Sequence, residues 1–464
     1  MLQTLLNVFK IAELRNKVLF TLGMLAVFRI GHWIPIPGVN QAMLEDYMQS
    51  QTNSSAIGKV VDFVAMFSGG ALSRSTIFGL GIMPYITAGI IFQLLGTVVP
   101  QLKALQEEGP TGRQKIMEWT RYATVVLCLV QGGGWLVFMS QQRLVYPEWS
   151  ANPLWWVMAA MCVTAGTMFL MWLGEQIDRH GIGNGVSMII MAGILTGMPG
   201  AIMNVVRNFD PSNAQKLGWP AVLLLLAGFV LVVSGAVLMT VAQRRIPIQQ
   251  AKHTKGRKVI GGQKSYLPLR INHGGVMPII FASSLMIFPS VIFSQIDTMI
   301  QGNPGWSGGW LEATTRFLRS NFDQGAYLYV IVYIIVVYFF SYFWITVQFN
   351  PEDMSKQLKE HGSFIPGLRP GPRTAEYLET VMSRLTFVGA GFLAVLAILP
   401  TVINKAMHVD FTVTQFLGGT GLLIVVSVTM DFLQRVEANL LMRNYSGFLG
   451  GDDGKGPKLK GPRF

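Results

Sequence analysis

Long, uncharged and mostly apolar stretches recur along the whole chain. Nine of them reach the roughly 20 residues that a helix needs to cross a bilayer, and they occupy residues 75–102, 122–142, 149–174, 185–206, 217–243, 274–296, 324–351, 385–404 and 411–430. A tenth begins at Val18, and Arg29 and His32 lie near its far end, where a long side chain can reach the headgroups. The pattern predicts an all-α polytopic membrane protein with ten transmembrane helices.

The segments around the spans divide the chain into regions. Residues 1–17 place apolar side chains on one helical face, which is typical of a helix in the membrane interface, at Leu2, Leu5, Leu6, Phe9 and Ala12. No small-residue cleavage site follows the first span, so we interpret it as a retained span and not as a signal peptide. The spans then form two sets of five, residues 18–212 and 213–434, and a basic tail follows at 435–464.

Composition supports a membrane protein and argues against an enzyme. The chain is 51% hydrophobic and 13% charged, whereas soluble proteins carry about 25% charged residues. Cys128 and Cys162 both fall inside predicted spans, where packing is their ordinary role. The sequence lacks the common zinc-protease and nucleotide-binding motifs, and its one hydrolase-like match, GWSGG at 305–309, falls in a Gly-rich loop. We therefore expect no catalysis, no cofactor and no metal.

Basic residues indicate the orientation of the chain. With ten spans, 26 of the 36 Lys and Arg residues fall on the side that holds both termini, and 8 fall on the opposite side. Cytoplasmic loops are enriched in Lys and Arg. The distribution therefore predicts that both termini lie in the cytoplasm.

Two of the predicted cytoplasmic loops differ in character. The loop at 243–273 holds eight basic residues and no acid, and its β-formers and Gly-Gly turn predict a projecting hairpin. Such a loop can be a topology determinant or a lipid contact, but a polyanionic partner such as ribosomal RNA or an acidic protein surface would explain both its length and its charge. The loop at 348–377 is balanced in charge, and its Pro and Gly residues predict a stiff turn that presents Arg369.

One apolar phrase occurs twice. GIMPYITA at 81–88 and GVMPIIFA at 275–282 fall in the second span of each set of five. Because five is odd, the two sets cross the membrane in opposite directions, and inverted repeats commonly form a pathway at their interface with interrupted helices. Pro84 and Pro278 would supply the interruption. Chance similarity between two apolar helices is the alternative.

The candidate lining of such a pathway is aliphatic. Ile82 and Ile86 share a helical face, as do Val186 and Ile190. Aliphatic constrictions can close a pore by dewetting, although this spacing usually reflects helix packing. The nine uncharged windows hold no acid or histidine, which argues against an ion-coupled carrier.

Seven motifs together closely resemble the SecY family, the channel subunits of bacterial protein translocons. They are MFSGGALSR (66–74), LGIMPYI (80–86), MFLMWLGEQI (168–177), GIGNG (181–185), IFASS (280–284), FIPGLRPG (364–371) and MDFLQRVE (430–437). The resemblance extends from the first span to the tenth. It implies a clamshell of two inverted, pseudo-symmetric halves, a channel for secretory proteins, and lateral release of transmembrane segments into the bacterial cytoplasmic membrane.

The resemblance also implies roles for individual residues. The pore ring would consist of Ile82, Ile86, Val186, Ile190, Ile280 and Ile424. The plug would be a short helix at about 62–74 with Phe67, Gly69 and Gly70. The lateral gate would include Thr87, Gln93, Ser283, Ser284 and Phe288, and the partner-binding residues would be Arg257, Lys258 and Arg369.

The implied partners are the SecE and SecG subunits, the SecA motor ATPase, the ribosome, signal peptides, nascent chains and the lipid bilayer. A secondary transporter for a small solute is the alternative function. The missing midplane charge and the long cytoplasmic loops favour the protein channel over the transporter.

Overall fold

The computed structural model describes residues 11–51, 68–72, 74–209, 218–250, 253–255, 258–260, 264–301, 310–322, 326–407 and 419–449. Over these residues the chain forms fifteen helices and five strands. In chain order they are α1 (Ala12–Gly31), α2 (Gln41–Gln51), α3 (Met83–Val98), α4 (Pro100–Glu107), α5 (Pro110–Gln141), α6 (Pro147–Ser150), α7 (Pro153–His180), α8 (Gly185–Arg207), α9 (Trp219–Val241), β1 (Gln243–Gln250), β2 (His253–Lys255), β3 (Lys258–Ile260), β4 (Lys264–Arg270), α10 (Met277–Gln301), α11 (Trp310–Asn321), α12 (Tyr327–Gln348), α13 (Pro351–Glu360), β5 (Ser363–Phe364), α14 (Pro372–Met407) and α15 (Thr420–Leu449).

Ten of these helices correspond to the ten predicted spans: α1, α3, α5, α7 and α8 in the first set, and α9, α10, α12, α14 and α15 in the second. Within the described residues, six are long and apolar enough to cross a membrane alone, and α3 and α4 meet the same test only as a pair, with a bend of 105° between them. The other three, α1, α10 and α15, carry charged residues within their bounds. Proline occupies the first turn of several helices, including α3, α5 and α7, where a missing N–H removes no helical hydrogen bond.

Two predicted boundaries differ in the structure. α1 begins at Ala12 and runs without a break to Gly31, so residues 12–17 are continuous with the helix of the first predicted span. Residues 1–10 of that predicted helix lie outside the described residues. At the other end α15 continues past residue 434 to Leu449, and the rest of the predicted tail lies outside the described residues.

The repeated phrase has the same backbone structure in both halves. Gly81 and Gly275 each have φ of +59°, and a helix starts two residues later in each case. Pro84 and Pro278 are the second residues of α3 and α10. The predicted interruption is therefore a helix start and not a kink within a longer helix, since proline fits the first turn but not the interior.

The helices pack as two sets of five. In the first set α7 contacts α1, α3, α5 and α8, and in the second α12 contacts α10 and α14 while α9 contacts α14 and α15. Among the described residues, the extensive packing between the sets is that of α8 on α15. The largest apolar cluster takes side chains from both sets.

The two loops of the second half form one small folded unit. β1 pairs with β4 in an antiparallel hairpin that aligns Gln243 with Arg270 and Gln249 with Lys264, so the predicted hairpin at 243–273 is confirmed. β1 also pairs with β5 of the loop at 348–377. A separate apolar cluster that includes Ile246, Ile365 and Leu378 holds the sheet on α14. We call the side of the molecule that carries this sheet the hairpin face.

Candidate functional site

One apolar cluster takes in side chains from helices of both halves. The six residues predicted as a pore ring come from four helices: Ile82 and Ile86 from the start of α3, Val186 and Ile190 from α8, Ile280 from α10 and Ile424 from α15. The five isoleucines are at most 8% exposed and belong to one packed cluster, and Val186 packs against it half-buried. All six therefore lie in or against one apolar cluster, and their arrangement as a ring stays a prediction.

The start of α8 is fixed by close contacts with α7. The backbone N–H of Gly185 donates to Asp178 Oδ1 at 2.7 Å, and Asn184 caps the helix by accepting from the Ser187 N–H at 3.0 Å. A Cβ atom on Gly185 would lie 1.9 Å from the carbonyl oxygen of Gly174, so only glycine permits this approach. These contacts set the position of α8 and hence of Val186 and Ile190.

The six residues predicted for the ring are aliphatic and carry neither hydrogen-bonding side-chain groups nor charge, so they can exclude water. Within the part of the chain that the structure describes, no group of three His, Cys, Asp or Glu residues could hold a metal ion. The hydrolase-like stretch at 305–309 lies outside the described residues.

The segment predicted as a plug is described from Ser68 onward, apart from residue 73. Ser68 is helical, but residues 69–72 form turns because Gly69 and Gly70 take positive φ values of +67° and +81°. The predicted helix at about 62–74 therefore does not extend over these residues, and Phe67 lies outside the described residues. A Cβ atom on Gly69 would lie 3.1 Å from Gly193 Cα, which shows how closely the turn lies against α8.

The sequence did not reveal what holds this segment. The ring Nε2 of His32, directly after α1, lies 2.6 Å from the carbonyl oxygen of Ser68. The backbone N–H of Ile36 donates to Ser75 O at 2.9 Å, and the Ile77 N–H donates to Ile34 O at 3.0 Å. These pairings join residues 36 or more positions apart, and the available signal was a lone histidine at the end of an apolar span.

The residues predicted for the lateral gate make mostly local hydrogen bonds. Thr87 Oγ1 donates to the Met83 carbonyl at 3.0 Å, and Ser284 Oγ donates to the Ile280 carbonyl at 2.8 Å. Ser283 is buried, with its hydroxyl 3.0 Å from that of Tyr333 on α12. None of these bonds crosses from α3 to α10. Gln93 is half-buried on α3, and the side chain of Phe288 is outside the described part of the chain.

Similarity to known proteins identifies the family. A family model described as SecY matches residues 76–433. The protein translocase subunit SecY of Escherichia coli strain K12 is 42% identical over 446 residues, which cover 95% of this chain and 94% of that protein. The chain belongs to the SecY family. The family predicted from the sequence motifs is thus confirmed.

Solved structures show the SecY fold. A SecY protein whose plug domain is described as stabilising the closed state of the translocation channel matches with a TM-score of 0.60 and 19% identity, over 93% of this chain and 94% of that one. Sec61 in the canine ribosome–channel complex matches with a TM-score of 0.56 and 18% identity, over 93% and 94%. The predicted fold class, ten transmembrane helices in two pseudo-symmetric halves, is confirmed, and the chain is a multi-pass membrane protein.

On the hairpin face of this SecY protein, a rigid turn displays Arg369. The Arg369 side chain is exposed. Its carbonyl oxygen accepts from Thr374 Oγ1 at 2.9 Å, and the Gly371 carbonyl accepts from Ser355 Oγ at 2.7 Å. Gly367 and Gly371 have positive φ values, so the turn needs glycine at both positions. Helices α13 and α14 thus hold the turn from both sides.

The hairpin tip is described only in part. Lys258 begins β3 and pairs in register with Lys255 of β2, while Arg257 lies outside the described residues. Where the hairpin returns to the membrane, burial lowers the pKa of the His273 side chain. The positive charge of Arg270 also lowers this pKa, and a hydrogen bond to the Arg270 backbone partly offsets both effects. His273 is therefore favoured in its neutral form.

Proposed function

We propose that this SecY protein is the protein-conducting subunit of a translocase. It would carry unfolded secretory proteins across the membrane and release transmembrane segments sideways into the lipid. The observation that supports this most directly is the apolar cluster between the halves, which holds the five isoleucines proposed for the ring and packs against Val186. Aliphatic side chains offer a solute neither hydrogen bonds nor charge, so the function proposed is passage and not catalysis.

The proposed ring works by excluding water. Ile82, Ile86, Ile190, Ile280 and Ile424, together with Val186, close the path by dewetting when the halves are together. When the halves separate, the same flexible apolar side chains can fit around a translocating chain without binding any particular sequence. An apolar ring therefore accommodates many clients, whereas a charged or hydrogen-bonding ring would select among them.

The proposed plug and lateral gate extend this mechanism. Phe67, Gly69 and Gly70 would belong to the plug. Thr87, Gln93, Ser283, Ser284 and Phe288 would border the opening between α3 and α10. A nascent segment gains about 0.3 to 0.6 kcal/mol for each Leu that enters lipid, and a charge at the centre costs about 2.5 to 3.5 kcal/mol. A lateral opening lets each segment partition according to that balance.

The proposed location is the bacterial cytoplasmic membrane, with the hairpin face and both termini in the cytoplasm. The excess of Lys and Arg on that side supports this orientation. Arg257, Lys258 and Arg369 would contact the ribosome or the SecA motor, while SecE and SecG would complete the complex in the membrane. A similar Sec61 protein occurs in a ribosome–channel complex, which supports the ribosome as a partner.

Reconstitution tests the proposed function. The purified complex in liposomes, supplied with an unfolded preprotein, the motor and ATP, should transfer the preprotein to a protease-protected compartment. Liposomes without the complex and reactions without ATP are the controls. Absence of protected preprotein, together with saturable uptake of a small solute by the same liposomes, would replace the channel with a transporter.

A second experiment tests the lateral opening. We expect cysteines at Thr87 and Phe288, introduced after Cys128 and Cys162 are replaced, to form a disulfide under mild oxidation, which requires Cα atoms within about 7 Å. The bond would join α3 to α10 and stop export, and a reductant should restore it. Each single-cysteine variant is the control. Efficient crosslinking with undiminished export would show that the two helices need not separate.

A further inference from the structure

His32 occupies an unusual position for a histidine. It directly follows α1, its side chain is 2% exposed, and both ring nitrogens face carbonyl oxygens. Nδ1 lies 2.9 Å from Phe28 O in the last turn of α1, and Nε2 lies 2.6 Å from Ser68 O. The ring also packs edge-on against the rings of Phe28 and Phe78.

The two carbonyl oxygens compete for one hydrogen. A neutral imidazole carries a single N–H, on one nitrogen or the other. The Phe28 carbonyl belongs to the turn where α-helical carbonyls lose their amide partners, and the backbone N–H of His32 bonds to Arg29 O instead. Either oxygen can therefore accept the ring hydrogen, and the tautomer determines which one does.

The contact to Ser68 differs from the other attachments of this segment. Residues 75–77 are held by backbone hydrogen bonds to Ile34 and Ile36, which no side-chain substitution removes directly. Ser68 is held to the end of α1 by a side chain. A Cβ atom on the adjacent Gly69 would come within 3.0 Å of the same nitrogen, so the chain passes close to the ring at this point.

We infer that His32 is a latch: its Nε2–H fastens residue 68 to the end of the first span and thereby sets how firmly the closed channel is held. This inference rests on the proposed channel function. It adds a residue that determines how readily the closed channel opens without a proper signal sequence. When residue 68 moves away, a change of tautomer places the hydrogen on Nδ1, where Phe28 O accepts it. Release then costs the hydrogen bond at the Ser68 carbonyl but leaves no buried donor without an acceptor on His32.

Two amide substitutions separate the contacts of the ring. The side-chain amide of Gln reaches about as far as Nε2, whereas that of Asn reaches only as far as Nδ1. His32→Gln should therefore keep the bond to Ser68, and His32→Asn should keep only the bond to Phe28. Trp155→Phe is the matched control, because it removes a buried Nε1–H that donates to Pro37 O at 2.8 Å but does not touch residue 68.

The first measurements are the resting ion conductance of the purified complex in planar bilayers and the export of a preprotein with a defective signal sequence. We expect His32→Asn to raise both by about 2- to 12-fold, the population change that corresponds to one net hydrogen bond. His32→Gln and Trp155→Phe should stay close to wild type. If the Asn and Gln variants behave alike, whether both leak or neither does, the proposed role of His32 as a latch is refuted.

A thiol-labelling experiment gives a readout that does not depend on export. With Cys128 and Cys162 replaced, a cysteine at Ser68 should react with a membrane-impermeant maleimide faster in the His32→Asn background than in the His32→Gln background, by a similar factor. His32→Ser provides a second variant too short to reach residue 68 if the Asn protein does not assemble. Equal labelling rates would overturn the latch even where export is normal, whereas failure of the wild-type complex to export would count against the channel function and leave the labelling test intact.

Discussion

Two neighbouring isoleucines on α8 allow a test of the proposed pore ring. Ile190 belongs to the proposed ring and is 4% exposed, while Ile189 is 1% exposed. Ile189 Cδ1 lies 3.6 Å from the position that a Cβ atom on Gly174 would take, so Ile189 faces α7. The two residues share a helix, a side chain type and a degree of burial, and only Ile190 is assigned to the proposed ring.

Ile190→Asn should strongly destabilise the closed state of the channel. Burying an isoleucine side chain contributes about 1.5 to 3 kcal/mol, and burying an amide without a partner costs about 1 to 3 kcal/mol. Together the closed cluster loses about 2.5 to 6 kcal/mol, and an open, hydrated pore escapes most of that cost because water solvates the amide. The ratio of open to closed channels should rise by about 10²- to 10⁴-fold.

Planar-bilayer conductance of the resting complex is the assay, together with the amount of assembled complex in the membrane. Ile190→Asn should conduct ions without a substrate. Ile189→Asn should reduce the amount of assembled complex through lost packing on α7, while the channels that do assemble stay closed. Ile190→Val should behave like wild type. Equal resting conductance in the two Asn variants would refute the assignment of Ile190 to the ring.

Three further predictions concern other parts of the molecule. Arg369→Glu should impair motor-driven export more than Arg257→Glu, since a rigid turn presents one side chain while the hairpin spreads its contacts; equal losses over a range of salt concentrations would argue against a specific role for the turn. Gly185→Ala places a Cβ atom 1.9 Å from Gly174 O, so α8 should shift, the thermal midpoint in detergent should fall by the equivalent of about 1 to 3 kcal/mol, and resting conductance should rise; an unchanged midpoint would contradict this. Because burial lowers the folded-state pKa of His273, its contribution to stability is complete above the unfolded pKa of about 6.5 and is lost as pH falls below that value; the thermal midpoint should therefore drop less between pH 7.5 and pH 5.5 in His273→Asn than in wild type, and identical pH profiles would disprove the effect.

The sequence predicted the local features of this fold well. Composition and length located ten spans because burial in lipid requires an uncharged stretch of fixed length. Strand formers around glycine turns predicted the hairpin that β1 and β4 form. The repeated phrase aligns Gly81 with Gly275 in the sequence. In the structure both residues have φ of +59°, so the repeat corresponds to one backbone conformation.

The features that sequence reasoning missed are pairings between distant residues. Ser283 faces Tyr333 on another helix, His32 faces Ser68, and β5 pairs with β1 of the other loop. The residues next to each partner in the sequence give no sign of the contact, and no periodic pattern relates the positions of the two partners. The ring was a weaker inference for the same reason: spacing placed Ile82 and Ile86 on one face, but only the family resemblance named Ile280 and Ile424.

The sheet that joins the two loops has a mechanical consequence for any partner that binds them. β1 continues from α9 and β4 leads into α10, while β5 lies between α12 and α14. Arg270 at the end of β4 donates to Gln434 Oε1 on α15 at 3.0 Å. A push on the hairpin or on the Arg369 turn therefore reaches all five long helices of the second half. The sheet thus links the loops that a partner would bind to every long helix of that half, so a load applied there is shared among them.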